Sequence, residues 1–501
     1  MSNLVKDQNK LLAGHIQRAA GAWPVWIDQD ADLFLVFQDY WRWKRDVESQ
    51  YSISGFSVDG ELVFKTQRLV IYEHNEISIA ALLERHGILD MEGYVEIEIT
   101  ASDNIVFPFP AIMAYYTNRS RPYSCVHTAG RTVPLDEKVS EFCETNFFCS
   151  TDDEFSPFIN IFLGQDGFID NMLIEILDLS NNTKLAEYFP PPLTESYQSR
   201  TIYLSDHFDL TALGSVAGIY TRFSGRCKGL FPRFICGNFE PGQKKHYVTH
   251  SFRNIATKDD VIEDYIPETP SVISLPCIPA LRLEANIYPT CVPQLGSLTA
   301  KIKRLPLDCS FHEMSGTEET NSFNPSSNDG GCFTENVKPG TISIISIAST
   351  KSVPARIPVN LHYYCKGVKP AQRTDIALQF TTQTASKKFN YWGHFPSDAD
   401  LRSVILLSTI TSHTYAADPE DVIINLQCFD KLSKLYEDDL NLGHTAGTSI
   451  DITSLIDTNS ISENGQKFYS WRIKVLSGAL QDMYCVSYNA ENGTIFGDHS
   501  F

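Results

Sequence analysis

Three residues recur at fixed separations in two distant parts of the chain: Tyr220, Cys236 and His250, and again Tyr469, Cys485 and His499, with fourteen residues from Cys to His and thirty from Tyr to His each time. Both sets end in the same tripeptide, His-Ser-Phe, at 250–252 and 499–501. Upstream, YLSDHFDLTAL (203–213) and TSIDITSL (448–455) each supply an extended run followed by Asp-[Leu/Ile]-Thr-x-Leu. Matched features at one spacing point to duplication of a single unit, and a unit that repeats within 501 residues must close its own core in roughly a hundred.

Weaker copies complete the series. IYEHNEISIAALLERHGILDMEGYVEIEIT leads through AIMAYYTNRSRPYSCVHTAG to His127, and VNLHYYCKG with ALQFTTQTASKKFNYWGHF ends at His394. These ends predict β-sandwich units over 23–133, 144–253, 278–396 and 401–501, the third diverged and carrying a long polar loop at 313–340. An amphipathic helical segment is expected over 1–22, and an acidic, proline-bearing linker over 254–277.

The secondary structure follows from period-two alternation. VEIEIT (95–100), FINIFLG (158–164), YTRFSG (220–225) and SWRIKVLSG (470–478) place apolar side chains on one face of a strand. Helical signals are confined to short capped turns, SIAALLERHG from Ser78 and DLTALGS from Asp209. Each unit opens on two extended runs around a polar turn, such as FINIFLGQDGFIDNMLIEILDL, which reads as a hairpin. The fold class expected is mostly β: a tandem array of β-sandwich units of one repeated type, jelly-roll or immunoglobulin-like, each with a short helix.

Charge narrows the partners. With 41 Lys and Arg against 61 Asp and Glu the formal charge is −20, which repels phosphate backbones and anionic lipid, so neither nucleic acid nor membrane is an expected partner. No apolar run reaches a membrane span, and the first residues lack the apolar core of a secretory signal. Twelve cysteines without a C-x-x-C pair suit reduced thiols and a cytoplasmic setting.

Several residue groups invite a chemical reading. The histidines at 127, 250, 394 and 499 are candidate ligands or acid–base groups, but repetition places them in four separate units, so structural roles are expected and no metal or cofactor is implied. Counting fourteen back from His127 and His394 gives Met113 and Phe380 where the other copies have Cys236 and Cys485, which marks a core position and not a thiolate site. The acids of DQDAD (28–32) lack the glycine of a calcium loop and read as turn residues. No serine-hydrolase, zinc-protease, Walker or dinucleotide motif is present. Trp23, Trp26, Trp41 and Trp43 form a dense aromatic cluster that can seal one unit on another or stack on a sugar ring. The leading expectation is therefore a non-catalytic tandem binding or scaffold protein with a carbohydrate or protein partner. A sugar-modifying or hydrolytic enzyme with its site in one diverged unit, and a structural assembly subunit, are the alternatives.

Overall fold

The computed structural model describes residues 18–101, 110–119, 121–127, 131–132, 139–146, 153–178, 183–213, 219–231, 234–253, 271–287, 298–309, 318–323, 333–349, 359–365, 390–410, 421–456, 467–480 and 483–500. In the first sandwich, β1 (Arg18–Ile27), β2 (Ala31–Gln38), β3 (Ser49–Ser57), β4 (Leu62–Leu69), β5 (His74–Ser78), β6 (Met91–Ala101), β7 (Ile112–Asn118) and β8 (Arg121–His127) form two antiparallel sheets. Their orders are β1-β6-β3-β4 and β5-β2-β7-β8. Only the third-to-fourth and seventh-to-eighth connections are hairpins, and every other connection crosses from one sheet to the other. That crossing pattern makes an eight-stranded antiparallel sandwich.

The same order returns along the chain. After β9 (Arg131–Thr132) come β10 (Ser140–Asn146), β11 (Ser156–Phe162), β12 (Phe168–Asp178), β13 (Lys184–Tyr188), β14 (Ser199–Tyr203), β15 (Ile219–Lys228), β16 (Leu230–Phe231), β17 (Ile235–Glu240), β18 (Lys245–His250) and β19 (Phe252–Arg253). They make sheets β13-β12-β15-β10-β19 and β14-β11-β17-β18, while β16 pairs with β9. The third sandwich uses β20 (Ser271–Cys277), β21 (Leu281–Ile287), β22 (Leu298–Pro306), β23 (Glu318–Phe323), β24 (Phe333–Val337), β25 (Thr341–Ser349) and β26 (Val359–Cys365). Its sheets, β20-β25-β22-β23 and β24-β21-β26, keep the order and lack an eighth strand among the described residues. The fourth uses β27 (Asn390–Pro396), β28 (Arg402–Ser408), β29 (Val422–Phe429), β30 (Lys434–Gly443), β31 (Gly447–Asp451), β32 (Phe468–Ser477), β33 (Met483–Tyr488) and β34 (Ile495–His499), in sheets β27-β32-β29-β30 and β31-β28-β33-β34. The chain is thus a mostly β tandem of sandwiches. Its contacts divide it into two compact halves, essentially residues 9–255 and 256–501, each holding two sandwiches.

Alternation becomes burial. In β6, Val95, Ile97 and Ile99 point into a core with Trp23, Val25, Leu35 and Phe37, and β15, β25 and β32 repeat this role in the other sandwiches. The short helices form where capping residues stop the strand. Ser78 Oγ accepts from Ala81 N at 3.0 Å ahead of the helix Ile79–Arg85, and Asp209 Oδ1 accepts from Ala212 N at 3.0 Å ahead of Leu210–Leu213. Among the described residues no helix is long and apolar enough to cross a membrane.

Several expectations need correction. The opening runs of the units are not hairpins: β1 and β2, β11 and β12, β21 and β22, and β28 and β29 lie in opposite sheets. Alternation reports only which face of a strand is buried, and the same pattern serves a hairpin or a crossover. Residues 18–22, expected as helix, belong to β1, which pairs from Arg18↔Thr100 to Ile27↔Met91; residues 1–17 lie outside the described region. YWRWKR, which carries two of the clustered tryptophans, forms a short helix, Tyr40–Arg45, because the Asp39 carboxylate accepts from Arg42 N at 3.3 Å and turns the chain. Sheet strands begin at 140, 271 and 390, earlier than the expected unit starts of 144, 278 and 401, so β20 occupies the expected linker.

The segment 313–340, expected as a loop, contributes β23 and β24. There Glu335, with 1% of its surface exposed, accepts from Arg304 Nε and Nη2 at 2.7 and 2.6 Å and from Ser343 Oγ at 2.6 Å. A polar segment is held by a buried ion pair that joins the two sheets, and composition does not register that. His394 also moves: it lies on β27, the opening strand of the fourth sandwich, opposite Ser470, and so is not equivalent to His127, His250 and His499. Phe380 lies outside the described residues.

Candidate functional site

The eighth strands carry the recurrent histidines, and pairing defines their register. Opposite them on the seventh strands stand Met113 for His127, Ile235 for His250 and Tyr484 for His499. Cys236 and Cys485 are the next residues along, so their counterpart in the first sandwich is Ala114 and not Met113. The difference of one has two parts: the first hairpin turns in two residues between Asn118 and Arg121 where the second takes four between Glu240 and Lys245, and a bulge, where Tyr116 pairs with Ser124 and Thr117 with Pro122, gives one back by leaving Tyr123 as the extra residue of β8. Ala114, Cys236 and Cys485 are all buried, and burial pushes the Cys485 thiol up to about 12. Tyr220 and Tyr469 are each the second residue of a sixth strand and are buried. No disulfide joins two of the nine described cysteines.

In the first half, β8 and β18 lie against each other and join the first sandwich to the second. The join is made by side chains. Tyr123, thrown out of its sheet by the bulge, accepts from His246 N at 3.2 Å, and Ser124 Oγ accepts from Val248 N at 2.9 Å. Residues 246, 248 and 250 share one parity of β18, so hydroxyls of β8 satisfy the outward edge of a strand that would otherwise present open N–H groups. The Tyr123 ring meets Tyr247 edge-on at 5.5 Å.

Rings fill the rest of this join. Trp26 stacks flat on the His246 imidazole, centroids 3.8 Å apart at 5°, and meets Phe158 edge-on at 5.4 Å. Phe239 covers His246 at 4.4 Å, and the Tyr203 hydroxyl lies 3.1 Å from His246 Nε2. Burial pushes the His246 pKa down to about 3, so this imidazole is neutral and packs as an aromatic ring. A second patch adds Tyr94, which stacks on Phe56 at 5.2 Å and on Phe162 at 5.1 Å while its hydroxyl donates to Leu163 O at 2.7 Å.

The four tryptophans therefore do not form one platform. Trp23 and Trp41 are 0% and 1% exposed and belong to the core of the first sandwich, which closes them to any ligand. Trp26 seals the join, and half-buried Trp43 meets Tyr40 edge-on at 5.7 Å under the Lys44 ammonium, 4.6 Å from its ring. The acids of DQDAD are local: Asp28 Oδ1 accepts from Asp30 N at 2.9 Å and Ala31 N at 3.0 Å, and Asp32 accepts from Ala80 N at 2.8 Å and Ser78 Oγ at 2.6 Å.

The histidines come out differently from the sequence reading. His394 Nδ1 lies 2.9 Å from Ser470 Oγ inside its own sandwich, and His499 Nδ1 lies 3.0 Å from Ser500 O. His127 and His250, expected to be far apart, meet edge-to-face with ring centroids 4.5 Å apart, because the first two sandwiches dock through the strands that carry them. His246, Tyr123 and Ser124 were not picked out from the sequence. The signal was the shared parity of His246 and His250 on a strand enclosed along nearly its whole length.

No protein-family model matches the chain, and no curated protein matches it significantly.

Proposed function

We propose that the chain is a non-catalytic binding or scaffold protein built from duplicated antiparallel β-sandwiches. One observation carries this reading: Trp23, Trp41, His127, His250 and His394, among the residues that looked most like ligand or catalytic groups, are buried in sandwich cores or in the join between the first two sandwiches. Burial disfavours ionisation of the Cys227, Cys277, Cys428 and Cys485 thiols, each pushed up to about 12, and lowers the His246 pKa to about 3, too weak a base to take a proton near neutral pH. Repetition of one body suits multivalent contact, where weak contacts multiply.

A partner of protein or carbohydrate is part of the proposal, and nucleic acid is not, given the net charge of −20. A sugar-binding version cannot use Trp23 or Trp41 and would have to draw on exposed rings elsewhere. The test pairs a glycan and protein-partner binding screen, with self-assembly followed by native mass spectrometry, against a panel of glycoside, ester and peptide substrates. Binding or assembly without turnover supports the reading. Turnover in proportion to protein concentration refutes it.

A further inference from the structure

We infer that His127 and His250 form a two-histidine binding site for a divalent transition-metal ion of the zinc, cobalt, nickel and copper class. Both side chains are 1% exposed, and one ring nitrogen of each lies within 4.8 Å of the other. A tetrahedral ion with bonds of about 2.0–2.1 Å needs these nitrogens about 3.3 Å apart, a closure that small side-chain rotations supply.

The surroundings of His250 carry the argument beyond proximity. Its Nδ1 lies 3.0 Å from Ser251 O. A carbonyl oxygen only accepts, so Nδ1 holds the proton and Nε2 carries the lone pair, the tautomer and outer hydrogen bond that metal-ligating imidazoles use. Ser251 is itself fixed: its N–H donates to Phe234 O at 2.7 Å, and its hydroxyl accepts from Phe234 N at 2.8 Å and donates to the Glu144 carboxylate at 2.9 Å. Glu144, 2% exposed, thereby places a carboxylate two steps from the imidazole, where it offsets the charge of a bound cation. The Nδ1-to-carbonyl device recurs at His499 within the other half, so it belongs to the repeated unit. Two imidazoles select borderline metals over calcium or magnesium, which prefer oxygen. Water or a donor delivered to the site fills the remaining positions.

This inference does not depend on the scaffold reading. The full-length, tag-free protein is stripped with a chelator, and Zn²⁺, Co²⁺, Ni²⁺ and Cu²⁺ are titrated in singly by calorimetry. Uptake of about one equivalent is expected, with affinity at least tenfold lower in His127→Gln and in His250→Gln and unchanged in His86→Gln, whose ring lies on the surface. Zinc-edge X-ray absorption on the unaltered protein counts imidazole ligands without any substitution, so a variant that fails to fold does not stop the test. Two or more imidazoles support the site. Absence of stoichiometric uptake, a sulfur-dominated shell, or uptake in both histidine variants as tight as in the unaltered protein overturns it.

Discussion

Ser124→Ala tests whether the first two sandwiches are joined through hydroxyls. The serine is buried, and its Oγ takes the Val248 N–H at 2.9 Å, so alanine removes the acceptor and leaves an amide with no water to replace it. An ordinary hydrogen bond contributes about 0.5–1.5 kcal/mol, but a stranded buried donor costs about 1–3 kcal/mol, and the second figure applies because the Cβ still fills the site and blocks solvent. Hydrogen exchange read at Val248 isolates the effect from unfolding of the rest of the chain. A cost of 1–3 kcal/mol speeds exchange of that amide roughly 5–150-fold, while the amides of β2 change little. Tyr123→Phe does the same for the His246 amide, at 3.2 Å from the hydroxyl. Because the two hydroxyls sit on adjacent residues in one join, the double variant is expected to depart from additivity by about 0.5 kcal/mol or more. If Val248 stays equally protected in Ser124→Ala, the edge of β18 is closed by something other than β8 and the account of the join is wrong.

Other outcomes follow from single features. His246 has its folded pKa depressed to about 3 against about 6.5 when unfolded, so its contribution is present above pH 6.5 and is lost as pH falls toward 3, at up to about 1.4 kcal/mol per unit; unfolding free energies measured across that window should be flatter for His246→Phe, and an unchanged slope would contradict the assignment. Arg304→Met strands the Glu335 carboxylate and should destabilise the second half by about 3–5 kcal/mol, whereas replacing both partners with apolar residues should recover most of it in denaturant titrations. Gly237→Ala places a Cβ 1.8 Å from Tyr247 O at a φ of +157°, and a loss of at least about 3 kcal/mol in thermal unfolding is expected; a loss under 1 kcal/mol would mean that the β17–β18 pair can spread.

Duplication was legible because the sixth, seventh and eighth strands kept their spacing: Tyr220 and Tyr469 open equivalent strands, and His250 and His499 sit near the ends of others. The opening strands were not legible. β1 pairs with β6, β10 with β15 and β27 with β32 across 64 to 87 residues of sequence, and no local pattern announces a partner so remote. That is why residues 18–22, Ser271–Cys277 and His394 were assigned to a helix, a linker and the wrong end of a unit. The strands β23 and β24 escaped because they rest on backbone pairing and on Glu335 with Arg304, which apolar content does not report. The histidine pair escaped for a further reason: equivalent residues of two sandwiches meet when the copies dock through the same strand, and alternation says nothing about which edge docks.

The first and sixth strands of each sandwich also set an order of events during synthesis. Arg18 finds Thr100 only after the ribosome has released everything between them, so the leading strand of every repeat waits unpaired while most of its own sandwich is still being made. A nascent chain of this design passes through four such intervals, each with an adhesive ribbon awaiting its mate.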